Sequence, residues 1–226
     1  MRRLVIATRN AHKVAEIQAI LGADFAYITL RDLPGAPEAI EDADTFEGNA
    51  AKKAATLACW LSSQKQADTL VLADDSGLEV DALNGAPGVH SARFAALDDP
   101  AFLPGKNSPD RANNDKLLRL LAQVPEVKRT ARFRCALALL AVPTPPVSVD
   151  ELAPRARFFS GACEGRIAFA PGGSGGFGYD PLFIPVGHER SFAELGEDAK
   201  NRMSHRAKAL DELRKYFAGG ASSASP

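Results

Sequence analysis

Several groups of residues have the types and spacing to do chemistry on an anionic ligand. Asp74 and Asp75 stand side by side at the end of the apolar run 69–73. Successive strand residues point to opposite faces, so only one of the pair faces a given site. Two carboxylates ending an apolar strand are costly to desolvate unless donors or a cation answer them. A hard cation such as Mg²⁺ would do so; the structural alternative is that both acids cap the turn begun by Ser76 and Gly77. Thr8, Asn10 and Lys13 gather at the junction between a first strand and the helix after it. Asn49 and Lys53, four apart, share one face of a second helix, away from its apolar stripe. The glycine-rich stretch 172–178 encloses Phe177 and leads into Tyr179 and Asp180. It fits neither the Walker nor the dinucleotide-binding spacing. It reads either as a flexible linker or as backbone that comes close to a flat ligand, with Phe177 as a stacking face. Lys200, Ser204, His205 and Arg206 form a run of donors that, standing alone, reads as a solvated face.

The elements that must position these residues follow from periodicity and punctuation. Residues 3–7 read as a buried strand, and Thr8, Arg9 and Asn10 are placed to start a helix carrying Val14, Ile17 and Leu21, closed by Gly22. A second strand is expected at 25–30. Asp44 and Glu47 have capping-box spacing ahead of Phe46, Ala50, Ala54, Leu57 and Leu61 at helical intervals. The strand 69–73 then delivers the acid pair to its end, where open α/β sheets bind ligands. A turn at 84–88 and a loop at 98–110 precede a helix about Asn113, with Leu117, Leu118, Leu120 and Leu121 as its buried side. Residues 130–142 and 156–169 are predicted as long strands of an antiparallel hairpin joined by a proline-rich loop. A short strand at 182–184 and a helix over 204–217 complete the pattern, and residues 219–226 read as a disordered tail. Crossover helices combined with a hairpin imply a mixed α/β fold.

Composition narrows the function classes. Of 226 residues, 46% are apolar and 24% charged, which excludes fibrous, disordered and membrane-embedded chains. Lys plus Arg number 27 against 28 Asp plus Glu, a formal charge of −1, so no global field recruits nucleic acid or a lipid surface. Phosphate chemistry must therefore be local. Cys59, Cys135 and Cys163 are scattered and lack metal-ligand spacing, as suits a reduced compartment. The apolar stretch at 4–7 is too short for a secretion signal, and the cytoplasm is the expected location.

Five strings occur in order: ATRNAHK at 7–13, TFEGNA at 45–50, ADDSGLEVDALNGAPGVHSAR at 73–93, GGFGYDP at 175–181 and SHRAKAL at 204–210. On these motifs the chain, from Leu4 to Leu213, resembles the inosine triphosphate pyrophosphatase-like family of non-canonical purine nucleoside triphosphate pyrophosphatases. The resemblance implies an α/β fold in which an elongated mixed sheet flanked by helices forms two lobes around a central cleft, within one domain over residues 1–218. It also implies a homodimer and Mg²⁺-dependent conversion of ITP, dITP or XTP to the monophosphate and pyrophosphate. Thr8, Asn10 and Lys13 would hold the triphosphate together with Lys53 and Ser76, and Arg9, Ala11 and His12 would also be among the substrate-binding residues. Asp75 would position or deprotonate water. Phe177, Gly178, Tyr179 and Asp180, with Lys200, His205 and Arg206, would hold base and sugar. Asp75 and Glu41 would carry Mg²⁺, with Glu38 and Asp42 as competitors of Glu41. Gly48, where relatives often have Glu, and His12, where they often have Gly, depart from the pattern. The rival expectations are a pyrophosphatase of the septum-inhibition type, acting on pyrimidine or modified nucleotides, and a catalytically silent purine nucleotide-binding module.

Overall fold

A computed structural model of the chain describes residues 1–98 and 107–220. The apolar run at the N-terminus forms β1 (Arg2–Ile6). It leads into α1 (Ala11–Leu21), whose first turn is capped by the Asn10 side chain accepting from the His12 and Lys13 amides, and which Gly22 ends at φ +69°. β2 (Phe25–Thr29) and β3 (Thr69–Val80) both pair in parallel with β1, and α2 (Phe46–Ser63) lies between them in sequence. Parallel neighbours require such crossovers. Then come α3 (Asp110–Leu120), β4 (Thr130–Ala141), α4 (Val149–Leu152), β5 (Arg157–Ile167), β6 (Phe183–Pro185), α5 (Phe192–Leu195), α6 (Glu197–Met203) and α7 (His205–Gly220). The strand order is β2-β1-β3-β4-β5-β6, with β5 and β6 antiparallel. The sheet is mixed and the fold is α/β, as the sequence implies.

The chain divides into two compact units. The first holds residues 1–75, 135–161 and the chain from Arg206 on; the second holds 76–134 and 162–205. In the first unit, alternate strand residues go to opposite faces of the sheet. Val5, Val71, Ala73, Ala138 and Leu140 pack against Ala50, Ala54, Leu57, Ala58 and Leu61 of α2. Leu4, Ile6, Leu72, Leu137 and Leu139 pack against Ile17 and Leu21 of α1 and Leu210 and Leu213 of α7. Burial on both faces explains the unbroken apolar runs. In the second unit, Leu78, Val80, Ala131, Phe133 and Ile167 surround Leu117, Leu121, Phe183 and Phe192.

Several expectations need correction. β3 does not end at Ala73 but runs through the acid pair to Val80, because both carboxylates find partners without leaving the sheet and Leu78 and Val80 continue the buried alternation. The cap of α2 is Thr45 rather than Asp44: the Thr45 hydroxyl accepts from the Gly48 amide at 3.1 Å. Leu120 is 45% exposed instead of buried, since Leu117 and Leu121 already fill the core side of α3. The proline-rich connection contains α4, closed by a reciprocal Ser148–Glu151 capping box. α7 continues to Gly220, beyond the expected end at Phe217; the rest of the tail, 221–226, and residues 99–106 of the expected loop lie outside the described residues. Gly48 also has a local reason: a Cβ there would lie 2.7 Å from the Ala43 Cβ, so the tight approach of the 43–45 segment to α2 needs glycine.

Candidate active site

In the first unit, the mid-strand position of Asp74 and Asp75 sends one carboxylate to each face of the sheet. Asp75 points toward α2, which presents two donors one turn apart. Lys53 Nζ lies 2.8 Å from Asp75 Oδ1, and Asn49 Nδ2 donates to Asp75 Oδ2 at 3.3 Å. The shared helix face of Asn49 and Lys53 is therefore directed at Asp75, although Asn49 is fully buried and its Oδ1 also accepts from the Ala43 amide at 3.0 Å. Lys53 also meets Glu41 at 3.0 Å, so one ammonium bridges Asp75 and Glu41. Of the two other acids, Glu38 pairs with exposed Arg9 at 2.9 Å and Asp42 with Lys52.

Asp74 points the other way and receives Lys13 of α1 and Arg206 of α7. The Arg206 Nε lies 2.8 Å from Asp74 Oδ2, a second nitrogen of the same guanidinium pairs with Glu16, and the Cys135 thiol donates to Asp74 Oδ2 at 3.3 Å. Arg206, a base-holding residue by resemblance, thus has its guanidinium in this buried network, 1% exposed. Glu16 is absent from the residues singled out by sequence; its spacing of three from Lys13, which places both on one face of α1, is the signal that points to it. At the N-terminus of α1, where helices attract anions, Thr8 Oγ1 accepts from the Asn10 amide at 3.2 Å and the Asn10 side chain takes the His12 and Lys13 amides.

The two carboxylates differ electrostatically. Burial acts to raise the Asp74 pKa, but Arg206 and then Lys13 outweigh it and hold the value well below the ordinary one. For Asp75 burial wins over Lys53 and Lys13, and the pKa is raised. Burial works against the charge of Lys53, yet Asp75 and Glu41 hold its pKa above the ordinary lysine value. Asp75 is therefore a carboxylate of raised basicity beside a firmly charged lysine, a combination suited to general base work. The residues fit Mg²⁺: Asp75 and Glu41 are hard oxygen donors already brought together around one positive charge. Among the described residues no group of three or more Asp, Glu, His or Cys side chains is arranged to hold a metal ion, and the pair Asp75 and Glu41 offers two carboxylates. That is how Mg²⁺ is commonly held beside substrate phosphates.

The second unit begins at half-buried Ser76 and carries the remaining residues. Asp180 Oδ2 accepts from the Phe177 amide at 2.9 Å and from Lys200 Nζ at 2.6 Å, while the Lys200 ammonium sits 4.2 Å from the Phe177 ring centroid. Gly176, at φ +73°, passes so close to the Asp180 carboxylate that a side chain would collide with it. The Tyr179 hydroxyl donates to Ser91 O at 2.9 Å. His205 stacks on Phe133, with centroids 4.8 Å apart and planes at 15°. Phe177, Asp180 and Lys200 are thereby joined in one contact set, with Gly178 and Tyr179 in the same loop, while His205 is held on the aromatic core.

The profile of the Ham1 family matches residues 4–216. The dITP/XTP pyrophosphatase of Shouchella clausii is 46% identical over 219 residues, covering 97% of this chain and 98% of its own. That of Opitutus terrae is 43% identical over 221 residues, covering 95% and 98%. A HAM1 protein from Coxiella burnetii has a solved structure that superposes with a TM-score of 0.77 at 36% identity, over 97% of this chain and 100% of its own. A nucleoside-triphosphatase / dITP/XTP pyrophosphatase from Mycobacterium abscessus gives a TM-score of 0.64 at 36% identity, over 93% and 98%. With the family profile spanning nearly every described residue and relatives above 40% identical almost end to end, the chain belongs to the Ham1 family.

Proposed function

We propose that the protein hydrolyses non-canonical purine nucleoside triphosphates, dITP, XTP and ITP, to the monophosphate and pyrophosphate. The observation that carries this is Asp75: a buried carboxylate of raised pKa, held by Lys53 and Asn49 and sharing Lys53 with Glu41. The names of the relatives supply the substrate class. Asp75 orients the attacking water and accepts its proton. Lys13 and Lys53 bind the phosphate chain and the pyrophosphate that departs, and the positive end of the α1 dipole adds to its anchorage. Mg²⁺, held by Asp75 and Glu41, would neutralise phosphate charge and lower the pKa of bound water. Phosphoryl displacement depends on positioning and charge neutralisation, so no nucleophilic Ser or Cys is needed. In the second unit, Phe177 provides the stacking face for the base. The same reading makes the protein a cytoplasmic homodimer; among the described residues no helix is long and apolar enough to cross a membrane. A solution mass of about twice the 24.0 kDa chain checks the dimer.

The test is the site of cleavage. Incubated with Mg²⁺ and dITP or XTP in ¹⁸O-water, the protein is expected to yield pyrophosphate and a monophosphate. Attack of water at the α-phosphorus, the position we propose, requires the label to appear in the monophosphate. Initial release of orthophosphate and a diphosphate refutes the assignment, preference for a pyrimidine triphosphate moves it to the septum-inhibition type, and binding without turnover leaves a silent module.

A further inference from the structure

We propose that Asp110 and Asn114 of α3 are positioning residues that set the conformation of the Phe177 to Asp180 loop for nucleoside binding; this rests on the functional reading above. Gly178 has φ +63°, and nothing lies within 4 Å of where its Cβ would stand, so the backbone conformation alone demands glycine. Glycine adopts that conformation freely and leaves it as freely. Two hydrogen bonds hold it. The Gly178 amide donates to Asp110 Oδ2 at 2.7 Å, and the Gly178 carbonyl accepts from Asn114 Nδ2 at 3.0 Å. These bonds lie on either side of the Gly178 Cα, so together they fix both of its backbone rotations.

Asp110 and Asn114 are four apart and therefore share one face of α3. The rest of the helix is anchored elsewhere. Leu117 and Leu121 are fully buried, Asn113 accepts from the Ala95 amide at 2.8 Å, and Lys116 Nζ donates to Phe94 O at 2.7 Å. The clamp thus transmits the rigidity of a core helix to a glycine-rich loop. Asn114 is buried, and its Oδ1 has no hydrogen-bond partner among the described residues. An unpartnered buried amide oxygen is costly; the side chain's donor side is spent on Gly178. On the far side of Phe177, Asp180 and Lys200 fix the ring, and the clamp fixes the peptide that follows it. A loop ordered before binding spares the ligand the entropy of ordering it, so the effect falls on nucleoside affinity and not on the phosphate chemistry of the first unit.

Steady-state kinetics with dITP and XTP, inhibition by tripolyphosphate, and hydrogen exchange at the Gly178 amide test this together. Asn114→Ala is expected to raise KM about three- to tenfold with kcat nearly unchanged. Asn114→Asp, which sets a carboxylate against the Gly178 carbonyl, raises KM further. Asp110→Ala also raises KM and speeds exchange at Gly178, whereas Asp110→Asn, which keeps an acceptor, restores much of both. The inhibition constant for tripolyphosphate, which has no base, stays at the wild-type value in every variant. An unchanged KM in Asn114→Ala and Asn114→Asp overturns the proposal, as does equal weakening of tripolyphosphate, which marks a general structural role. If the wild type hydrolyses none of these triphosphates, the functional reading fails; an unprotected Gly178 amide in the wild type then overturns the clamp on its own.

Discussion

Asp75→Asn is expected to lower hydrolysis of dITP and XTP by about 10²- to 10⁴-fold, the range for a lost general base, while the protein stays folded. The substitution keeps the shape of the side chain and one acceptor oxygen for Lys53, which also retains Glu41, but gives up the acceptor for Asn49 and removes the charge and the proton-accepting capacity. Because burial raises the Asp75 pKa, the folded state binds its proton more tightly than the unfolded chain does. Its stabilising effect is therefore complete at low pH and is lost as pH rises through the raised value. At neutral pH the ionised carboxylate is a burden on the fold, offset by Lys53 and Asn49, and a neutral isostere relieves it. The denaturation midpoint should stay near that of the wild type. The acid limb of kcat/KM, expected in the wild type to be shifted upward with the raised Asp75 pKa, should vanish from any residual activity. Near-normal turnover at saturating Mg²⁺ would show that Asp75 does no more than complete the strand.

Asp74→Asn, one residue away, is expected to do the reverse and strike first at stability. The wild-type carboxylate neutralises Arg206 and Lys13 inside the protein, with neither Asp74 nor Arg206 more than 2% exposed. Removing one partner of a buried ion pair leaves an uncompensated charge and costs about 3–5 kcal/mol. The pH dependence follows from the lowered pKa. Asp74 contributes stability above its unfolded pKa of about 3.9, and the contribution is lost as pH falls toward the depressed folded value. Denaturant unfolding across pH should show the wild type losing stability on acidification below about pH 4. The variant should be weak at neutral pH and have a flatter acid slope. A variant within about 1 kcal/mol of the wild type at pH 7, where typical substitutions fall, would show that Glu16 alone suffices for Arg206.

What the sequence determined by itself is local. The 3.6-residue spacing of Phe46, Ala50, Ala54, Leu57 and Leu61 requires a helix, and the same spacing puts Asn49 and Lys53 on one face. The period of two in a strand separates Asp74 from Asp75. Asn10, whose short side-chain acceptor stands directly before an apolar run of helical spacing, is suited to cap the helix that follows. Five ordered strings sufficed for the family. Tertiary structure decided which charges meet. Whether Asp74 leaves the strand or stays in it depends on Lys13 and Arg206, 61 and 132 residues away, and such distances are invisible to periodicity. Which of Glu38, Glu41 and Asp42 sits beside Lys53 depends on the path of an irregular segment with no repeat to read. The grip of Asp110 and Asn114 on Gly178 is of the same kind, since hydrogen bonds between a helix face and a glycine loop 64 or more residues away leave no local pattern. Local propensity fixes the direction in which a side chain points; only the packed chain supplies the partner, because burial sets the price of leaving a charge alone.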